Sequence, residues 1–212
     1  MNKIYNDDIC IISRELIQTE ERKHNHMLSF GILTFCFFLG VLGVVGTFIS
    51  AFSLNCIGVV FYPVLLLLCL FWAGFSRLKV EGVYRFLAFL AVMIVYSVFL
   101  LIMQNAVISG FFQTVNSVAV RLNEEYEGNL MLYQVADNSG AVTLFLCMIA
   151  FLVAGLISAG MMYRPNVWCF IAVIFPLLAG IMLGGGVPHT VFLFMILIAL
   201  VGTITASALK DP

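Results

Sequence analysis

Six apolar blocks without a single Asp, Glu, Lys or Arg constrain this chain more than any motif: residues 28–52, 57–75, 86–103, 141–163, 167–183 and 187–208. About 20 such residues in a helix cross the roughly 30 Å hydrocarbon core of a bilayer. In lipid every backbone N–H and C=O must find an internal partner, and a helix supplies that partner within one segment. Composition agrees, because 63% of the 212 residues are hydrophobic and 10% charged, whereas soluble domains run at about half and a quarter. The expected fold is all-α: a polytopic membrane protein with six transmembrane helices. An N-terminal segment (1–27), a membrane domain (28–208) with an outer segment at 104–140, and a short tail (209–212) divide the chain.

The basic residues set the orientation. With the N-terminus cytoplasmic, Lys3, Arg14, Arg22, Lys23, Arg77, Lys79, Arg85, Arg164 and Lys210 all lie inside, and Arg121 alone lies outside. That is the positive-inside partition, and it predicts N-in and C-in in an inner or plasma membrane. A cleaved signal peptide is not expected, since the chain opens on polar, charged residues. Within that opening Tyr5, Ile9, Ile12 and Leu16 recur at helical spacing, with Asp7 or Asp8 near the start and Arg22 and Lys23 near the end. The order suits the helix dipole. It predicts an amphipathic helix that lies on the cytoplasmic membrane surface or docks a cytoplasmic partner.

Chemistry is hard to find. The spans hold no carboxylate or basic group of the kind that ion-coupled pumps place at mid-membrane. His24 and His26 precede the first span, and His189 sits at the outer end of the last. Of six cysteines only Cys56 lies near the outer surface; Cys10 is cytoplasmic, and Cys36, Cys69, Cys147 and Cys169 are intramembrane. No C-x-x-C, H-E-x-x-H or G-x-S-x-G pattern occurs. No catalytic residue, cofactor site or metal site is therefore assigned, and an enzyme is not expected. A net charge of −1 gives no reason to expect a nucleic-acid partner; membrane lipid is the obligatory one.

Small residues and breakers carry more information. Gly40, Gly43 and Gly46 in the first span, Gly155 and Ala159 in the fourth, and Gly180 and Gly184 in the fifth are spaced for close helix packing. That packing falls either within one bundle or in a homo-oligomer. Pro176 interrupts the fifth span, and Gly184, Gly185, Gly186, Pro188 and His189 turn the chain into the sixth. Interrupted helices either expose backbone to a ligand at the midplane or simply kink. In the outer segment Phe111, Val115, Val118 and Leu122 follow Ile108 at helical spacing, with Gln113, Asn116 and Arg121 on the polar side. A helix along the outer interface is expected there, capping the bundle. Glu124, Glu125 and Glu127 follow as a solvated acidic face that is also available to a partner.

The run Asn116, Ser117, Val118 through Arg121, Leu122, Asn123, Glu124, then Asn129 and Leu130 to Tyr133, resembles the outer loop in the membrane region of bacterial transglutaminase-like membrane proteins. Gly184 to Pro188 before the last span resembles the same family, and the likeness covers residues 30 to 208. It implies a bacterial protein whose bundle anchors or scaffolds. In that family an extracytoplasmic domain with a Cys-His-Asp set follows the membrane region. This sequence contains no such domain, and no catalytic residue is carried over. The expected role is a non-enzymatic membrane scaffold or complex subunit, binding other membrane or envelope subunits, or its own copies, through the outer segment and the N-terminal helix. Two alternatives stand beside it: a transport subunit for an uncharged or lipidic substrate, and the membrane half of a transglutaminase-like envelope protein.

Overall fold

A computed structural model describes residues 31–78, 82–163, 167–184 and 186–208. The N-terminal helix expected around Ile9, Ile12 and Leu16, together with Gly185, lies outside the described residues. What is described is helical, with no strand among the described residues. The helices are α1 (Gly31–Ala51), α2 (Gly58–Ser76), α3 (Gly82–Ile102), α4 (Gln104–Tyr126), α5 (Ser139–Ser158), α6 (Val167–Leu183) and α7 (Thr190–Ala208). A π-helical turn, Ala159–Tyr163, extends α5.

Four of these, α1, α2, α3 and α5 with the start of its π turn, are long and apolar enough to cross a membrane. In α6 and α7 the apolar stretches Phe170–Leu183 and Thr190–Thr205 are shorter. The chain is thus an all-helical protein with several apolar helices of membrane-spanning length, as a multi-pass membrane protein requires. The ends of the apolar blocks move slightly. α3 begins at Gly82, ahead of Arg85, and α7 begins at Thr190, after Pro188.

Helix pairing follows the small residues, because without a hydrophobic drive between helices in lipid it is close backbone approach that gains dispersion contacts. α1 and α7 run antiparallel. Gly40 faces Ala199, Gly43 faces Ile196, Gly46 faces Phe192, and Gly202 of α7 faces Cys36. A Cβ on Gly43 would fall 2.7 Å from an Ile196 side-chain carbon, and one on Gly46 would overlap the Phe192 ring. α1 runs parallel to α6, with the Phe170 ring over Gly40 at one end and Phe52 against Gly184 at the other. These contacts bury Phe37, Val41 and Thr47 completely, and α1 is the most enclosed of the long apolar helices. The Thr47 hydroxyl donates to the Gly43 carbonyl at 2.6 Å, so its one polar group is satisfied inside the helix.

A second layer forms around α5, which runs parallel to α2 and antiparallel to α3. Ile57 N–H donates to Thr143 Oγ1 at 2.8 Å near their first turns. Fifteen residues later Trp72 Nε1 donates to Phe151 O at 3.0 Å, and its ring covers Gly155. α3 is held more loosely, with no buried residue. Its anchor is Tyr96, whose ring stacks on Phe151 (centroids 4.9 Å apart, 13° between planes) and whose hydroxyl donates to Met148 O.

Candidate functional site

The ends of α1, α2, α5, α6 and α7 that meet at one side of the bundle carry a cap built from α4 and the segment that follows it. Met103 breaks the helical path between α3 and α4 at φ −98°, ψ 15°, and α4 then lies against the first turns of α5. The approach is close at Gly110, where a Cβ would collide with the Ala141 carbonyl. Thr114 and Ala119 are buried beyond it, and Val118 packs against the core. Arg121 then reaches the end of α1, its Nη2 donating to Ser53 Oγ at 3.3 Å while Nη1 pairs with Glu124 at 3.1 Å. Tyr126 reaches the end of α6 and donates its hydroxyl to Leu183 O at 3.0 Å. The α6–α7 turn closes the same face, with His189 N–H donating to Ser50 Oγ at 3.1 Å.

Residues 127–138 return along α4 without regular structure, and three amide side chains take the place of a partner strand. Asn123 receives the Leu130 N–H on Oδ1 (2.8 Å) and donates Nδ2 to the Leu130 carbonyl (3.1 Å). Asn116 does the same for Tyr133, at 2.8 Å both ways. Gln113 donates to Ala136 O and accepts from Asn138 N–H. Asn138 in turn accepts from the N–H groups of Gly140 and Ala141, capping α5, the arrangement that satisfies otherwise orphaned donors at a helix start. Positions 113, 116 and 123 share one face of a helix of 3.6 residues per turn. A polar recess of about 200 Å³, lined by Asn55, Gln113, Asn116, Ser117 and Asp137 among others, lies beneath this seam.

Pinned in this way, the return segment turns apolar side chains outward. Leu130, Met131, Leu132 and Tyr133 are all exposed, Met131 at 94%. The Tyr133 ring leans on Phe112, with centroids 4.5 Å apart. Glu127 ends α4 in the left-handed conformation, φ 50°, and Ser53 holds φ 49° after α1.

A separate cavity of about 280 Å³ opens at the opposite end of the bundle, between α2, α3 and the π turn. Trp72, Phe75, Phe86 and Phe89 form most of its wall, Gly82, Gly155 and Ala159 leave the room, and Arg85 stands at its edge.

The sequence-predicted residues separate accordingly. Val118 is half-buried against the core, Val115 and Leu122 are half-buried on α4, and Phe111 is exposed with its ring against Phe145. Glu124, Glu125 and Glu127 are exposed. Among the described residues no group of three or more His, Cys, Asp and Glu is placed to hold a metal ion. Gly40, Gly43, Gly46, Gly155 and Gly184 make their close contacts within the chain, Ala159 lines the cavity, and Gly180 faces open space. Gly186 packs on Ala51, whereas Pro176 and His189 are exposed. The sequence reading did not single out Gly110 or Trp72, and it named Asn123 only within the run that carries the family resemblance. A signal for the seam existed in the three amides on one α4 face, but their partners are backbone groups and leave no mark in sequence. No protein family, curated protein or solved structure matches this chain.

Proposed function

We propose that this protein crosses the membrane six times, with both termini cytoplasmic, and serves as a non-enzymatic scaffold or subunit of a membrane complex. α1, α2, α3, α5, α6 and α7 are the crossings, and the α4 cap lies outside. The alternating directions of the paired helices support this topology, as do Arg77 and Arg85 at the end opposite the cap. The observation that carries the docking role is the amide seam. It spends three side chains to hold an extended segment in one conformation, with Leu130, Met131 and Leu132 in the open. Preorganised apolar anchors of this kind reduce the ordering cost that association must overcome.

The test is the intact mass of everything that co-purifies from the native membrane in mild detergent. Other chains in fixed ratio are expected, lost from Met131→Asp and retained by Gly180→Ala. A lone chain, or a pure homo-oligomer, overturns the reading. The apolar cavity between α2, α3 and the π turn favours a second reading, a transport subunit for an uncharged or lipidic substrate. Flux in reconstituted vesicles that survives Met131→Asp distinguishes it.

A further inference from the structure

The cavity at the end opposite the cap has a largely apolar wall, and Arg85 is the one charged residue among the described residues that line it. Three polar side chains of its wall are engaged with backbone: Trp72 Nε1 with Phe151 O at 3.0 Å, Ser76 Oγ with Ala73 O at 2.8 Å and Ser158 Oγ with Trp72 O at 3.4 Å. What faces the space is therefore ring and methylene surface, which stays dry and accepts apolar matter. Two features keep it open. α3 has no buried residue, and its first residue, Gly82, has nothing within 4 Å of where a Cβ would stand. The π turn Ala159–Tyr163 widens the end of α5 beside it, and such turns recur at functional sites. Arg85 reaches across this mouth, donating Nη2 to Leu78 O at 2.7 Å, and Arg77 lies on the same end, just after α2.

We infer that this cavity is a site for an anionic phospholipid of the cytoplasmic leaflet, its acyl chain between Trp72, Phe86 and Phe89 and its phosphate at the Arg85 guanidinium. The inference rests on the membrane topology proposed above. The occupant follows from the two ends of the site. A dry aromatic slot opening toward lipid takes a hydrocarbon chain, and a planar guanidinium at the interface offers paired donors to a phosphate. Basic pockets between spans on the cytoplasmic side collect anionic headgroups by this combination.

Trp72 is itself the reporter, because it is buried and lines the cavity, while Trp168, the other tryptophan, is 77% exposed. In nanodiscs of phosphatidylcholine, a lipid brominated along its chain quenches any tryptophan it touches. In a Trp168→Phe background, brominated phosphatidylglycerol should quench Trp72 with about a fivefold preference over brominated phosphatidylcholine at equal mole fraction, the scale of one arginine at a membrane surface. Arg85→Gln should erase that preference while leaving some quenching, and Gly82→Leu should reduce quenching by both lipids. Equal quenching by the two lipids in the native site, or a preference that survives Arg85→Gln, overturns the proposal in favour of surrounding lipid only. Trp72 untouched by either lipid, with Trp168 quenched in a Trp72→Phe background, also overturns it. Failure of Trp168 to respond to either lipid sinks the membrane topology itself, and the lipid site with it.

Discussion

Asn116 holds Tyr133 by both halves of its peptide environment, donating to the carbonyl and accepting from the N–H at 2.8 Å each. One side chain thereby satisfies two backbone groups 17 residues away. Asn116→Ala removes both bonds, at a cost of about 1–2 kcal/mol at a half-buried site. Hydrogen exchange should show the Tyr133 amide losing protection by about five- to thirtyfold, the factors that about 1–2 kcal/mol implies. The Leu130 amide, held by Asn123, should change far less. Equal loss at both positions would mean that the seam opens as one unit.

Glu127 sits in the left-handed region at φ 50° although it carries a Cβ, one residue ahead of Gly128. A left-handed residue with a Cβ costs about 1–2 kcal/mol relative to glycine. Glu127→Gly is therefore expected to raise the melting temperature in detergent by the equivalent of about 1 kcal/mol. A neutral or negative shift would show that the carboxylate contributes more than the backbone strain removes.

Gly46 and Phe192 are matched surfaces. Gly46→Leu should destabilise by about 1–3 kcal/mol through overpacking, whereas Gly180→Ala, facing open space, should change stability little. Gly46→Ala combined with Phe192→Ala should recover part of the loss in a double-mutant cycle. Additive effects would indicate that the α1–α7 seam is not the site of the damage.

Topology is open to an impermeant thiol reagent in a background lacking Cys56. Ser53→Cys and Asn129→Cys should react from outside and Lys79→Cys should not. Reaction at position 79 with protection at 129 would invert the orientation.

Cys56 offers a pH-dependent version of the same test. It lies in the connection between α1 and α2, and burial raises its thiol pKa above the ordinary value of 9.0, outweighing its own backbone hydrogen bond. A raised pKa leaves less thiolate at neutral pH, and the thiolate is the nucleophile. Native Cys56 should thus alkylate more slowly than Ser53→Cys, with the gap closing as pH rises past 9. A constant ratio from pH 7 to pH 10 would trace the slowness to access instead.

Much of the fold was legible because lipid imposes it. Uncharged blocks predicted α1, α2, α3, α5, α6 and α7 to within a few residues, and the glycine triplet predicted that α1 packs closely somewhere. The partner was not legible, since Gly46 meets Phe192 through a match of shape rather than of type. The sequence placed an amphipathic helix at 108–122, and α4 spans this stretch and continues to Tyr126. It did not foretell that Asn116 and Asn123 would grip backbone, because the gripped residues, Tyr133 and Leu130, need no particular side chain for it. The cavity depends on how loosely α3 sits and on where Trp72 turns, and both are decided by packing between distant elements.

The pairing of α1 with α7 also sets an order of events during synthesis. α1 is synthesised well before α7, the helix that fills its glycine stripe, so Gly40, Gly43 and Gly46 wait for Ala199, Ile196 and Phe192 while the intervening residues are made. Long-range closure of this kind comes late and leaves a partly assembled chain exposed meanwhile. Until α7 arrives the groove on α1 is open to substitutes, whether lipid, an insertion chaperone or the α7 of a neighbouring copy. A chain halted before residue 190 would therefore carry the α1 glycine stripe without the side chains that fill it.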